Sequence, residues 1–349
     1  MQPRILVVGC GAIGGVLAGT LLEIGQEVSV LTTNPAIAKA LGEHGVRVAG
    51  PDAPAPMKPA RVLSEPDAGA EFDFILLATQ PPQVEDAAKS AVGMLAAEGK
   101  MVCFQNGLSE ERVAKICGKE RVLGAVVAWG ASMLKPGEYE RTSAGGFTLG
   151  RLEGAPDELT EELSRLLEAI GPVTLTDNLL GARWSKLAIN AAISTLGTIG
   201  GDRLGALMRH RYVRRLALDI MTETVQVAQA EGVALEKVSG TLDLNWISLT
   251  EAERTAAGSP GLLAKHTLLL AVGARYRRLR SSMLAAIERG RPPAVDFLNG
   301  EVLGRAPRHG LTAPINQAAR DLVWAISRKE VTPSHELLRD LYDRTRGAA

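Results

Sequence analysis

A polar stripe on an otherwise apolar helix is the feature of this sequence with the clearest chemical meaning. Lys186, Asn190 and Ser194 recur at every fourth residue, and the positions between them are leucine, alanine and isoleucine. A spacing of four places the three side chains on one helix face. Such an apolar helix is expected to be largely buried, and a lysine is seldom buried without a partner or a chemical task. The stripe predicts the wall of a polar site; taken alone, a structural lysine paired with an acid explains it equally well.

The amino terminus carries a glycine-rich turn between an apolar strand and a helix. Residues 4–15 read RILVVGCGAIGG, and a second strand follows at residues 27–31. In this pattern Gly9 permits a tight turn, Gly11 lets the backbone approach a pyrophosphate, and Gly14 allows close packing of the helix on the strand. The helix N-terminus adds partial positive charge. The order of strand, glycine triplet, helix and strand predicts a dinucleotide site.

The end of the second strand indicates which dinucleotide is bound. NAD-binding chains place an acidic residue there against the ribose hydroxyls, whereas this chain has Thr32, Thr33 and Asn34. No carboxylate repels a 2′-phosphate, and hydroxyl and amide groups are available, so we predict NADPH as the cofactor. The nearest cation, Lys39, is explained at least as well as a solvated helix residue.

The order of elements predicts two domains, and 349 residues suffice for two cores. Strands alternate with helices up to a last short strand at 172–177, and the pattern beyond it is helical. We predict an α/β fold, with a Rossmann-type doubly wound parallel sheet over residues 1–177. An all-α domain for substrate binding and dimerisation is predicted over residues 178–349. Its amphipathic segments are expected near 207–231, 261–289 and 314–328, and the proline-rich segment 51–59 is expected to be a surface loop.

Composition limits the partners and the location. The chain has 39 basic and 39 acidic residues, which gives no electrostatic footprint for nucleic acid. Cys10, Cys103 and Cys117 are an odd number without CxxC spacing, which argues against a disulfide framework or a metal site. No apolar run is long enough to span a bilayer. We expect a cytoplasmic protein without a metal, a membrane or a nucleic-acid partner, present as a monomer or a homodimer.

One local charge cluster departs from this balance. Four arginines lie just before Ser281: Arg275, Arg277, Arg278 and Arg280. They could meet an anionic ligand, but the favoured interpretation is a solvated helix face.

With these motifs in place, the chain resembles the ketopantoate reductase family, also called 2-dehydropantoate 2-reductases, over most of its length. The matching segments are GCGAIG at 9–14, QNG at 105–107, WSKLAIN at 184–190, SSML at 281–284, DFLNG at 296–300 and HGLTAPIN at 309–316. The last two segments are the most specific. The resemblance implies the family's two-domain architecture.

The resemblance also implies hydride transfer from NADPH to the ketone of a 2-oxo acid, by default ketopantoate, giving pantoate for pantothenate biosynthesis. Lys186 would donate the proton to the carbonyl oxygen, where charge develops in the transition state. Asn106 and Asn190 would hold nicotinamide and substrate, and Ser282 would bind the substrate carboxylate; without the resemblance, Ser282 is assigned first as a helix cap. The expected substrate-binding residues are Asn106, Asn190, Ser194 and Ser282. The expected cofactor-binding residues are Gly9, Cys10, Gly11, Ala12, Ile13, Gly14, Thr33, Asn34, Gln80, Asn106 and Ala131.

Three departures from the family pattern leave the substrate open. The glutamate usually found just before the DFLNG segment is Ala294 here, the second asparagine of the central helix is Ser194, and the lysine usual after the third strand is Gln80. Each lost hydrogen bond is worth about 1–3 kcal/mol. Two alternatives therefore stand: a paralogue that reduces a different ketone, and a non-enzymatic NADPH-binding redox sensor. The retained lysine and asparagines argue against the sensor.

Overall fold

The computed structural model of the chain describes residues 2–50, 55–238, 242–255 and 258–347. The chain forms two compact units, Met1–Leu179 and Leu180–Ala349, where the sequence predicted a division after residue 177. The first unit is α/β and the second is helical, which confirms the predicted fold class.

The first unit contains all of the named strands. They are β1 (Ile5–Val8), β2 (Val28–Leu31), β3 (Arg47–Ala49), β4 (Arg61–Leu63), β5 (Phe72–Leu77), β6 (Leu95–Cys103), β7 (Val122–Val127), β8 (Ala131–Lys135), β9 (Glu138–Arg141), β10 (Phe147–Arg151) and β11 (Val173–Thr176). Its helices are α1 (Ala12–Glu23), α2 (Pro35–His44), α3 (Val84–Ala91), α4 (Ser109–Cys117) and α5 (Glu158–Leu167).

Eight strands make the main sheet, in the order β11-β10-β7-β6-β5-β1-β2-β4. Neighbours from β7 to β4 are all parallel, whereas β10 runs antiparallel to β7 and β11 runs parallel to β10. Every residue of β1, β2 and β7 is buried, which is why these strands read as unbroken apolar runs. The chain passes from β1 to β2 on one side and later places β5 on the other. This switch point creates a crevice at the carboxyl ends of β1 and β5.

A second sheet, which the sequence analysis did not predict, has the order β3-β9-β8 and packs on α1. A Cβ at Gly15 of α1 would lie 2.3 Å from the ring of Tyr139 in β9, so the ring packs directly on the helix backbone. Tyr139 is fully buried and donates its hydroxyl hydrogen to the carbonyl oxygen of Cys10 at 2.9 Å. The small sheet therefore supports the glycine-rich turn from behind.

The second unit consists of helices. They are α6 (Leu179–Gly200), which begins at the boundary, α7 (Leu204–Leu207), α8 (Arg211–Ala230), α9 (Leu244–Ile247), α10 (Glu251–Thr255), α11 (Pro260–Arg275), α12 (Ser282–Glu288), α13 (Asn299–Arg305), α14 (Pro314–Ser327) and α15 (His335–Gly347). Outside these helices, Val238 and Leu242 form an isolated antiparallel bridge. Within the described ranges, no helix has both the length and the apolar character needed to cross a membrane.

The structure tests three segments that were predicted from the sequence. The amphipathic segments predicted near 207–231 and 314–328 correspond to α8 and α14. The segment 261–289 is wrong as one helix, because α11 ends at Arg275 and α12 starts at Ser282. Of the predicted loop at 51–59, residues 51–54 lie outside the described residues, and Met57 pairs with Val46 in an isolated bridge.

Candidate functional site

The glycine-rich turn has the geometry that a bound dinucleotide requires. Gly9 has a positive φ of 88°, which favours glycine, and its N–H donates to the carbonyl oxygen of Leu31 at 2.9 Å. A Cβ at Gly14 would lie 1.9 Å from the carbonyl oxygen of Gly9, so only glycine lets α1 approach this closely. A Cβ at Gly11 would meet no described atom within 4 Å, which leaves open space above the backbone. The turn therefore leaves room for a ligand group above Gly11.

The first turn of α1 presents backbone donors to the same space. The first intrahelical bond runs from the N–H of Gly15 to the carbonyl oxygen of Gly11 at 2.8 Å, so the N–H groups of Ala12, Ile13 and Gly14 precede it. Cys10 is buried, and burial raises the pKa of its thiol to about 11. The thiol is therefore neutral at physiological pH and adds no negative charge where phosphate oxygens would lie.

The carboxyl ends of β5 and β6 lie beside this turn. Gln105 is buried and donates its Nε2 hydrogens to the carbonyl oxygen of Leu77 at 2.9 Å and to Oγ1 of Thr79 at 3.4 Å. A Cβ at Gly9 would lie 2.8 Å from the Thr79 methyl group, so the three strand ends are in contact. Asn106 follows Gln105 and is exposed at this edge. The first unit thus brings Asn106 to the same sheet edge as the glycine turn.

Gln80 and Ala131, two further predicted cofactor residues, differ in their surroundings. Gln80 is exposed after β5, and its backbone N–H donates to Oε1 of Gln83 at 3.3 Å. Ala131 begins β8, is half-buried and packs against the core of the first unit. This bond uses the backbone of Gln80 rather than its side-chain amide.

At the end of β2, the side-chain oxygens of Asn34 and Thr32 accept local hydrogen bonds. Asn34 caps α2, because its Oδ1 accepts the N–H groups of Ala36 at 3.0 Å and Ile37 at 3.2 Å. Thr32 is buried, and its Oγ1 accepts the N–H of Asn34 at 3.3 Å. Thr33 and Asn34, the two predicted ribose contacts, are both exposed, but only Asn34 is held in place by a helix cap. Lys39 points into solvent, with 73% of its side chain exposed.

In the second unit, α6 has a single accessible face. Lys186, Asn190 and Ser194 are half-buried, together with two isoleucines between them, whereas Leu187 and Ala191 are at most 1% exposed. The three polar residues therefore form a continuous stripe of four-residue spacing along an otherwise buried helix. An ammonium, an amide and a hydroxyl in one row can bind a substrate with several oxygen atoms.

The N-terminus of α12 docks at the Ser194 end of the stripe. Ser281 caps α12 by accepting the N–H of Leu284 at 3.3 Å, and its hydroxyl donates to the carbonyl oxygen of Ser194 at 2.9 Å. Ser281 also lies 2.9 Å from the hydroxyl of Thr198. The helix-cap assignment of Ser282 is therefore wrong, because the preceding serine is the cap. Ser282 is the first residue of α12 and is exposed.

The two most specific sequence segments, DFLNG and HGLTAPIN, contribute a buried polar network that sequence analysis did not foresee. Asn299 is fully buried and bonds Thr195 of α6 at 2.6 Å and Asn316 at 2.9 Å. Asn316 in turn donates its Nδ2 hydrogen to Glu223 of α8 at 2.7 Å. Burial raises the pKa of the Glu223 carboxyl. The network ties α6, α8, α13 and α14 together, so these segments position the stripe.

The position of the family's usual glutamate is occupied by a methyl group. Ala294 is half-buried at the start of the 3-10 turn Ala294–Phe297. Glu288, the nearest preceding acid in the sequence, is exposed and pairs with Arg280 at 2.5 Å. The negative charge that the sequence lacks at Ala294 is therefore not supplied by a free Glu288 carboxylate.

The first unit has a glycine turn after the first strand of a mainly parallel sheet, and the helical unit carries the polar stripe. Together these features define a dinucleotide-dependent oxidoreductase with two units. Two family models match the chain: ketopantoate reductase PanE/ApbA over residues 5–154 and ketopantoate reductase PanE/ApbA C terminal over residues 178–327. The chain belongs to the ketopantoate reductase family, whose members are NADP-dependent oxidoreductases that act on CH–OH groups.

Individual relatives agree with this assignment. A 2-dehydropantoate 2-reductase of Pyrococcus horikoshii is 26% identical, over 93% of this chain and 96% of the relative. The crystal structure of a PanE/ApbA family ketopantoate reductase from Ralstonia eutropha JMP134 has a TM-score of 0.77 and 25% identity, over 93% of this chain and 99% of the other. A D-mandelate dehydrogenase solved with NADH and anilino(oxo)acetate shares the fold, with a TM-score of 0.78 at 20% identity, over 93% and 98%.

Proposed function

We propose that this chain is an NADPH-dependent reductase of 2-oxo acids, with ketopantoate as its default substrate and pantoate as the product. The observation that carries the proposal is the half-buried Lys186 on the one accessible face of α6. A lysine in that setting can act as a proton donor. The substrate class is supported by the relative named 2-dehydropantoate 2-reductase, which matches 93% of the chain.

In this proposal the bound NADPH supplies the hydride, and residues of the chain bind the substrate and supply the proton. The ammonium of Lys186 polarises the ketone oxygen and delivers a proton to it as negative charge develops there. Asn190, one turn along α6, donates an amide hydrogen bond to the substrate. Ser282, exposed at the start of α12, binds the substrate carboxylate together with Ser194.

NADPH is the proposed cofactor because the end of β2 carries no carboxylate. Thr33 is exposed there, and the residues on either side of it are neutral. The open space above Gly11 and the amide groups of the first turn of α1 accept the pyrophosphate. Asn106, exposed at the same sheet edge, binds the nicotinamide end.

The test is a steady-state assay with ketopantoate and a panel of other 2-oxo acids, run with NADPH and with NADH. We expect turnover of ketopantoate with NADPH, and Lys186→Ala should lower kcat/KM by about 10²- to 10⁴-fold while the Kd for NADPH stays unchanged. Lys89→Ala, an exposed lysine on α3, is the matched control and should leave both quantities unchanged. Binding of NADPH without turnover of any 2-oxo acid would contradict the proposal.

A second pair of variants separates substrate binding from helix stability at adjacent serines. Ser282→Ala should raise KM for the 2-oxo acid and leave the free energy of unfolding unchanged. Ser281→Ala removes the cap of α12 and should lower the free energy of unfolding by about 1 kcal/mol. If Ser282→Ala leaves KM unchanged, the carboxylate is bound elsewhere.

A paralogue that reduces a different ketone is the second candidate, and Ala294 is the observation that favours it. A methyl group at this half-buried position cannot bond the hydroxyl group of ketopantoate. Under this alternative, Ala294→Glu should raise kcat/KM for ketopantoate relative to 2-oxo acids without a hydroxyl group. Under the default proposal, the wild-type chain already prefers ketopantoate in the same panel.

A further inference from the structure

A cavity in the helical unit is lined by arginines that the proposed function does not use. It has a volume of about 480 Å³ and lies between α7 and the C-terminal end of α11. Leu270 and Ala274 of α11 give it an apolar wall. Its basic lining residues are Arg203, Arg209, Arg277 and Arg278. None of these residues belongs to the glycine turn or to the polar stripe of α6.

The charge of this cavity is not balanced from within. Asp202 is its one acidic lining residue, so four arginines less one aspartate leave an excess of three positive charges. Asp202 is already bonded to the N–H of Arg203 at 2.6 Å and to Nε2 of His335 at 3.2 Å. Across the described ranges, none of the four arginine side chains has an ion pair or hydrogen bond to an acid. Their guanidinium groups are exposed and available to a ligand.

Close backbone packing fixes the two walls of the cavity. The N–H of Leu204 donates to the carbonyl oxygen of Leu279 at 2.9 Å. A Cβ at Gly205 would lie 2.8 Å from Cα of Arg277, and one at Gly273 would lie 2.4 Å from Cβ of Met208. Glycine at both positions lets α7 lie directly on α11 and on the turn that follows it. The arginines of the two segments therefore converge because of the fold.

The remaining arginines of the cluster have other partners. Arg275 stacks on the ring of Tyr276, with its guanidinium carbon 5.5 Å from the ring centre. Arg280 pairs with Glu288 at 2.5 Å. Only the members that line the cavity, Arg277 and Arg278, lack such a partner within the described residues. Within one short segment, two arginines therefore line the cavity, and the other two contact Tyr276 and Glu288.

We propose that the cavity binds a small organic molecule that carries a diphosphate or bisphosphate group. Guanidinium groups form paired hydrogen bonds with phosphate oxygens. An excess of three positive charges is matched better by a ligand with several negative charges than by a 2-oxo acid, which carries one. The volume lies within the range of about 300–1,000 Å³ found for small-molecule sites. The apolar wall at Leu270 and Ala274 contacts the organic part of the ligand.

The test is isothermal titration calorimetry of the full chain with inorganic pyrophosphate. Because the glycine turn is also suited to a pyrophosphate, the titration uses Gly11→Asp, whose carboxylate repels anions from the start of α1. A Cβ at Gly11 meets no described atom within 4 Å, so the backbone leaves space for a side chain to begin here. We expect one mole of pyrophosphate to bind per chain, more tightly than orthophosphate and more weakly as salt is raised.

In the Gly11→Asp background, Arg277→Gln with Arg278→Gln should weaken pyrophosphate binding by about tenfold or more for each arginine removed. Arg308→Gln, an exposed arginine outside the cavity, is the matched control and should leave the affinity unchanged. If the double variant does not fold, as judged by thermal unfolding, Arg209→Gln on the opposite wall takes its place. The proposal is overturned by the absence of binding in Gly11→Asp, by unchanged affinity in the arginine variants, or by equal affinities for orthophosphate and pyrophosphate. The outcome does not depend on whether the chain reduces ketopantoate.

Discussion

Two alanine substitutions in the same glycine turn should fail in different ways. In Gly14→Ala the new methyl group would lie 1.9 Å from the carbonyl oxygen of Gly9, where ordinary contact begins at 3.4 Å. The obstacle is a backbone atom, so α1 or the turn must move by about 1.5 Å, the difference of these distances. Overpacking of this kind costs about 1–3 kcal/mol. We expect Gly14→Ala to lower the free energy of unfolding by about 2–3 kcal/mol and to weaken NADPH binding as a consequence.

Gly11→Ala should leave the fold intact and block the ligand. The new methyl group would meet no described atom within 4 Å, and the φ of −76° at Gly11 suits alanine. Replacing a capping glycine by alanine costs at most about 1 kcal/mol. The methyl group would nevertheless occupy the space where the pyrophosphate approaches the backbone. The Kd for NADPH should therefore rise about tenfold or more, which corresponds to at least about 1.4 kcal/mol.

Urea denaturation and fluorescence titration with NADPH measure the two effects separately. Gly42→Ala is the control, because its Cβ also meets no described atom within 4 Å and it lies inside α2. It should stabilise the chain by up to about 1 kcal/mol and leave NADPH affinity unchanged. Wild-type NADPH affinity in Gly11→Ala would refute the assignment of the turn as the pyrophosphate site. Wild-type stability in Gly14→Ala would refute the packing argument.

Three further predictions concern stability. Asn299→Ala removes the donor to Oδ1 of Asn316 and the acceptor of the Thr195 hydroxyl, both fully buried, so urea denaturation should show a loss of about 2–4 kcal/mol. A loss below about 1 kcal/mol would contradict this. Burial lowers the pKa of His266 from 6.5 to about 4, so its contribution to stability is fully present above pH 6.5 and is lost as pH falls toward 4. The free energy of unfolding of His266→Gln should therefore fall less over that range than that of the wild type. An equal fall would exclude the histidine as the cause. Tyr139→Phe removes the bond to the Cys10 carbonyl oxygen and should cost about 1 kcal/mol by the same measurement, so unchanged stability would mean that the bond contributes nothing.

The parts of the fold that depend on local pattern could be predicted from the sequence. The turn at Gly9 was predictable because strand, glycine triplet and helix are consecutive in the chain. The accessible stripe of α6 was predictable because a four-residue spacing needs no knowledge of other helices. The roles assigned to its side chains stay predictions.

The parts that depend on distant partners could not be predicted. Strand β3 pairs with β9 across most of the first unit, and these short, partly exposed strands carry little periodic signal. The break between α11 and α12 lacks proline and glycine; it arises where Leu279 bonds Leu204 and Ser281 caps the next helix. The bond between Asn299 and Asn316 likewise joins two elements with no common period.

Hydride transfer from NADPH to carbon 2 of a 2-oxo acid can be followed with an isotope label. The purified chain would be incubated with ketopantoate and with NADPH that carries deuterium at the transferable position of the nicotinamide, and the product would be examined by mass spectrometry and NMR. We expect pantoate with one deuterium on carbon 2, and loss of that product in Lys186→Ala. Unlabelled product, or no reduction of any 2-oxo acid while labelled NADPH remains bound, would contradict it.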